Sequence, residues 1–329
     1  MKISFISQTK HLLIVALSFM GLLLLTGLAQ AEVKKPNINI GVFSNYGKVG
    51  EDSLKAVELA KNSLHDSAYS YTIHTLNTKF GSTVSHSVME NFVRKNHLSA
   101  VISIYTSGGL AIKPIIDENQ ILQISVASDP KIADGKINFI NFSPTQEQIN
   151  VMIATLKKKN IKTISILHIN DIWANAIVKE LTHALLKKTS IKILDNKKYS
   201  IETKKFSPVI KSMKGGQPNI YFVLGYTRHL QEIISAMRKE NIETPITTIT
   251  TFNPQDDVPF LKGMWYVDTK ISPKFSELFK NKTGQFPSTD AAYAYDAFNM
   301  IAKAYDTLYA KAKNKNIQPT EIKKIAPYM

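Results

Sequence analysis

Two apolar runs in this chain end in residues whose types could hold a small anion. Leu98 to Ile104 gives way to Thr106, Ser107, Gly108 and Gly109 before a helix-like pattern begins. The hydroxyls can donate hydrogen bonds, and the glycines let backbone N–H groups and a helix N-terminus face a negative charge. That chemistry suits a small carboxylate, although an ordinary N-cap with a glycine turn accounts for the same residues. A second run, Ile121 to Val126, ends in Ala127 and Ser128 and then Asp129-Pro130. Asp129 before Pro130 is good N-cap chemistry, while Ser128 could share a ligand carboxylate or ammonium with Ser107.

Catalytic and metal chemistry find little footing. The chain holds no Gly-x-Ser-x-Gly elbow, no Gly-x4-Gly-Lys-Ser/Thr loop and no His-Glu-x-x-His pair. His65, His74, His86 and His97 are too irregularly spaced for a metal site, and the absence of cysteine argues against structural zinc. His168, at a strand end beside Asn170 and Asp171, is read as structural or ligand-lining rather than catalytic. No enzyme activity, cofactor or metal is expected.

Such strand ends need a sheet to carry them. Strands are expected over Asn37–Ser44, Tyr69–Thr75, Ser99–Ile104 and Ile121–Val126, with helices over Glu51–Leu64, Val84–Asn96 and Leu110–Glu118. Continuous apolar strands alternating with helices imply βαβ units and a parallel sheet. At "SPTQ" the pattern restarts: Ser143 as N-cap, Pro144 in the first turn and Gln146 as the reciprocal residue form a capping box, opening a helix that runs to about Lys159. A second series follows, with strands Thr163–Ile169, Ile191–Tyr199, Asn219–Tyr226, Pro245–Thr250 and Gly263–Thr269 and helices Trp173–Lys188 and Leu230–Asn241. The expected fold is therefore α/β, two Rossmann-like lobes with parallel sheets joined by a hinge. The last long helix, Ser288 to about Lys311, places Tyr295, Phe298, Ala302, Tyr305 and Tyr309 on one face, a stripe read as core.

The ends of the chain and its charge narrow the class. Lys2 and Lys10 precede an apolar stretch, Leu12 to Leu28, that closes on Ala29-Gln30-Ala31. This reads as a secretory signal cleaved after Ala31; an uncleaved anchor is the alternative, since the run approaches spanning length. Export to the periplasm is expected, and without cysteine neither a lipid anchor nor a disulfide scaffold is available. The net charge of +15 raises the question of nucleic acid, but of 41 basic residues only Arg94, Arg228 and Arg238 are arginines, the residue type that bidentate phosphate and guanine contacts favour. The lysines cluster at element ends, as at Lys157–Lys159, where a helix C-terminus favours cations. No nucleic-acid partner is expected.

The stretch "AVISIYTSGGLAIKPIIDENQILQISVASDP" resembles the first-lobe signature of type I periplasmic solute-binding proteins, the branched-chain amino-acid (Leu/Ile/Val) receptor family of ABC importers. "STDAAYAYDAFNMIAKA" is similar to that family's Tyr-Asp-Ala helix, "ILHINDIWANAIVKEL" to the opening of its second lobe, and "YFVLGYTRHLQEIISAMRKENI" to a later strand–helix pair. The likeness extends from about Asn37 to Ala310. With the signal peptide read over 1–31, the chain divides into a first lobe over 32–142 to which 271–310 returns, a second lobe over 143–270 and a tail over 311–329. It also implies a hinged clamshell, a monomer, closing on an amino acid or related small carboxylate and docking on the membrane subunits of an ABC importer. Thr106 or Ser107 takes the place of the family's carboxylate-binding hydroxyl, Ala127 and Ser128 that of its carboxylate and ammonium contacts, and Trp173 and Tyr226 that of its covering aromatics. The acidic ammonium partner that follows the strand Pro245–Thr250 in amino-acid binders is missing at Thr251, Phe252 and Asn253, leaving Asp256 or Asp257 as the substitute. The chain also stops at "KKIAPYM", short of the family's usual last crossover and strands. A periplasmic sensor or interaction module that kept the fold without transport is the competing reading.

Overall fold

The computed structural model describes residues 35–44, 47–78, 84–213, 216–249, 264–312, 325 and 327. The proposed signal segment and Asp256, with its neighbours Thr251, Phe252, Asn253 and Asp257, lie outside the described residues. In chain order the elements are β1 (Asn37–Ser44), α1 (Lys48–Asn62), β2 (Ser70–Asn77), α2 (His86–Lys95), β3 (Ala100–Ile104), α3 (Thr106–Asn119), β4 (Leu122–Val126) and β5 (Asn138–Ile140). The second series comprises α4 (Thr145–Lys158), β6 (Thr163–Ile169), α5 (Ile172–Lys188), β7 (Lys192–Tyr199), α6 (Ser207–Lys211), β8 (Ile220–Leu224), α7 (Thr227–Lys239), β9 (Ile246–Ile249) and β10 (Trp265–Val267). Two helices close the chain, α8 (Pro273–Thr283) and α9 (Thr289–Lys311).

Two five-stranded parallel sheets result, ordered β2-β1-β3-β4-β5 and β7-β6-β8-β9-β10. Counted within each lobe, both follow the order 2-1-3-4-5, so each reverses direction between its first and third strands. Doubly wound sheets of this kind bind ligands beyond the strands' carboxyl ends at that reversal. The central strands β3, β4 and β8 are buried along their whole length; β8 has no polar break, while β3 and β4 bury Ser103, Gln123 and Ser125 among their apolar residues.

The expected strands recur within two residues at each end. Three corrections have physical causes. First, α3 begins at Thr106, not Leu110, so the hydroxyls and glycines form its first turn. Second, no capping box forms at Ser143: α4 starts at Thr145 after Pro144, and Gln146 bonds to Asn150 instead. Third, β5, α6 and α8 were not anticipated; β5 is only three residues long, α6 only five, and both α6 and α8 open on a Ser-Pro pair at their N-termini.

The hydroxyl freed from the box has another task. Ser143 Oγ lies 2.7 Å from Thr269 Oγ1 and 3.0 Å from the Tyr293 hydroxyl, and Tyr293 donates to Thr269 at 3.0 Å. Ser143 leaves sheet one for α4 and Thr269 leaves β10 for α8, so the triangle ties both crossing segments to α9. Tyr293→Phe removes two of its three bonds and should cost about 1 kcal/mol. The check is a lower urea midpoint with an unchanged slope.

Helix α9 packs along α1 and against β3 and β4. Phe298, Ala302 and Tyr305 are buried in the first core, with Tyr295 and Tyr309 packed at its edge, so the aromatic stripe is core. Among the described residues, no helix is long and apolar enough to cross a membrane.

Candidate functional site

The first turn of α3 sits at the carboxyl end of β3. Its first N–H groups have no partner within the helix, as at any helix start, although Gly109 N–H already bonds back to Tyr105 O at 3.0 Å. The two glycines divide their roles. A Cβ on Gly109 would lie 2.7 Å from Ser125 Oγ and 2.8 Å from Ile132 Cδ1, so this residue lets the helix press onto β4; a Cβ on Gly108 would meet open space. Thr106 is buried and Ser107 exposed.

A buried polar layer fixes that helix end. Ser103 and Ser125 hydroxyls lie 2.6 Å apart, and Gln123 Nε2 donates to Ser103 at 3.1 Å, Ser125 at 2.8 Å and Gly109 O at 3.1 Å. At the neighbouring strand end, Ala127 and Ser128 are both buried, and Thr145 of α4 donates to the Ser128 hydroxyl at 3.2 Å. Asp129 caps a turn and not a helix, accepting from Lys131 N–H at 2.9 Å.

The second lobe contributes an aromatic wall. Asp171 is the N-cap of α5, taking Ala174 N–H at 2.6 Å on one oxygen and the Tyr226 hydroxyl at 2.8 Å on the other. Tyr226 stacks on Trp173 at 6.2 Å and 25°, and meets Tyr105 of the first lobe edge-on at 6.1 Å and 83°. At the end of β7, Tyr199 reaches past β6 to donate to Leu224 O of β8 at 3.1 Å, and a Cβ on Gly225 would run into that Tyr199 hydroxyl. Burial first, then the charge of Asp171 and its hydrogen bond, then the charges of Tyr105 and Asp290, push the Tyr226 hydroxyl far above its usual range. Burial likewise raises Asp171.

Asp290, in the first turn of α9, adds a carboxyl near this wall. Burial and then the neighbouring Asp268 push it up to about 7, against a bond from its own backbone N–H. Asp268 is held by the Thr289 hydroxyl at 2.9 Å to each oxygen. His168 is buried, its Nδ1 lies 3.0 Å from Ile169 O, and burial lowers its pKa, so it is held neutral within the core.

Of the sequence-predicted residues, Trp173 and Tyr226 are brought into contact, while Thr106 and Ser107 share one helix turn. Sequence reasoning missed Tyr105, Asp171 and Asp290. Tyr105 had a signal: β3 and β8 are the third strands of matching sheets, and each is followed within two residues by a tyrosine.

Residues 53–327 match the family described as the receptor family ligand binding region. The chain belongs to this family. Its fold is that of type I periplasmic binding proteins. The branched-chain amino acid transporter substrate-binding protein LivJ from Streptococcus pneumoniae, solved with isoleucine, is 20% identical with a TM-score of 0.74, over 88% of this chain and 87% of that one. The leucine-binding protein LivK from Thermotoga maritima is 16% identical with a TM-score of 0.66, covering 88% and 86%. A fatty acid ABC transporter substrate-binding protein from Thermomonospora curvata reaches a TM-score of 0.74 at 12% identity, covering 90% and 81%. No curated protein matches the chain significantly.

Proposed function

We propose that this protein is an exported solute receptor that closes its two lobes on an α-amino acid and presents it to an ABC importer. One observation carries the reading: a helix N-terminus with hydroxyls ends β3 in one lobe, an aromatic wall ends β8 in the other, and the two meet at Tyr105 and Tyr226. A helix N-terminus favours a carboxylate, and aromatic faces favour the apolar and cationic parts of a ligand. Thr106 or Ser107 would hold the carboxylate together with the backbone around Ala127 and Ser128, and Trp173 and Tyr226 would cover the side chain. Asp290 supplies the ammonium partner among the described residues, the role first sought at Asp256. The amino-acid and fatty-acid binders of the same fold support a ligand bearing a carboxylate.

Thermal unfolding against a panel of amino acids and small carboxylates tests this. A ligand at about 100 times its Kd adds about 2.7 kcal/mol of stability, a shift of several degrees. Ser107→Ala should weaken binding of the responding compound about tenfold, through loss of one charge-assisted bond, with little change in unliganded stability because Ser107 is exposed. A folded protein that ignores every carboxylate would end the reading.

A further inference from the structure

We propose that Tyr105 is the positioning residue that couples the ligand-facing end of α3 to lobe closure, by seating its ring against Tyr226. The proposal rests on the two-lobe receptor reading above. Its first support is the backbone. Five non-glycine described residues have positive φ, and four of them, His97, Gln120, Asn160 and Asn241, sit at the C-terminal ends of helices with φ between 47° and 56°. A left-handed residue is the ordinary way to end a helix. Tyr105 instead precedes a helix, with φ 73° and ψ 150°, in territory that belongs almost entirely to glycine. A bulky aromatic there is strained. Two bonds hold it in place, its N–H to Val126 O at 3.1 Å and its carbonyl to Gly109 N–H at 3.0 Å.

The consequence of that twist is where the ring goes. It reaches across to the other lobe and meets Tyr226 edge-on. Tyr226 is equally fixed, by its hydroxyl on Asp171 and its face on Trp173. Helix α3, which Tyr105 precedes, and helix α5, which Asp171 caps and whose first turn carries Trp173, also approach one another. Any rotation that opens the lobes at this point must part the two rings. An edge-to-face pair is worth roughly a two- to tenfold bias in the closed-to-open ratio. Because Tyr105 is also the N-cap of α3, closure is read directly at the helix turn that bears Thr106 and Ser107.

The chain has no cysteine, so Glu118→Cys and Lys187→Cys, one exposed position in each lobe, give clean sites for paired spin labels. Interlobe distance distributions on the full chain, without ligand, test the proposal. Tyr105→Ala should reduce the closed population relative to the open roughly two- to tenfold, and Tyr105→Phe should keep it. Tyr105→Gly should open the lobes like alanine while melting higher than alanine, because glycine relieves the backbone. Unchanged distances in Tyr105→Ala, a Tyr105→Phe protein as open as alanine, or a glycine variant no more stable than alanine would each overturn it. Distances that respond to Tyr105→Ala in a protein that binds no amino acid would uphold the ring pair and end the receptor reading.

Discussion

Asp290→Asn should weaken α-amino acid binding about ten- to a hundredfold, since a hydrogen bond to a charged group is worth about 1.5–3 kcal/mol. The same substitution should stabilise the empty protein above neutral pH. The two effects have one cause. Asp290 sits with Asp268, and burial and that neighbouring charge push its pKa up to about 7, against about 3.9 in an unfolded chain. Between those values the folded state holds a proton that the unfolded state has released. The stability this provides is fully present below about pH 4 and is lost as pH rises through 7. At pH 8 the wild-type protein therefore carries an ionised carboxylate beside Asp268 at a cost on the order of a few kcal/mol, a cost asparagine does not bear. An ammonium from the ligand would offset it. Unfolding of both proteins at pH 4 and pH 8 should show near-equal stability at the lower pH and a more stable variant at the higher. Wild-type affinity for an amino acid should fall about tenfold from pH 8 to pH 6 as the carboxylate takes up its proton. Equal melting at both pH values, with unchanged affinity, would remove Asp290 from the site.

The lobes were legible because parallel strands buried on both faces leave continuous apolar runs. Ile220–Leu224 is such a run, Ala100–Ile104 is one broken only by Ser103, and every residue in both is buried. The hydroxyl-and-glycine end of β3 was legible for the same reason, as the place where the run breaks. What each residue does there was not, because the deciding partners are distant in sequence. Gly109 is required by Ser125 and Ile132, which press against it from β4 and the following turn. Ser143 pairs with Thr269 and Tyr293, more than a hundred residues on, which overrides the local capping pattern. Asp290 looks like a favourable acid at a helix start until Asp268 is placed beside it. The strain at Tyr105 comes from tertiary fit and has no signature in local propensity. Trp173 and Tyr226 were singled out through resemblance, and their spacing alone would not have selected them.

Helix α9 separates these roles along its length, and a substitution farther down it should behave in the opposite way. Its first turns carry Thr289, Asp290 and Tyr293, which face Asp268, Thr269 and Ser143. Its middle carries Phe298, fully buried and edge-on to Tyr71 of β2 at 5.2 Å, followed by Tyr305, edge-on to Tyr69 at 5.4 Å. Phe298→Ala should cost about 3–5 kcal/mol, the transfer of a phenyl ring plus the cavity it leaves, and lower the melting temperature by several degrees. The cavity would lie between α9 and the first sheet, away from the aromatic wall and the α3 turn. Affinity in the protein that remains folded should accordingly change less than twofold. Calorimetric titration well below the melting temperature, set beside a denaturant midpoint, reads both quantities. If Phe298→Ala lost affinity in proportion to stability, α9 would be acting as one rigid body from hinge to core, and the Asp290 effect could no longer be assigned to contact with the ligand.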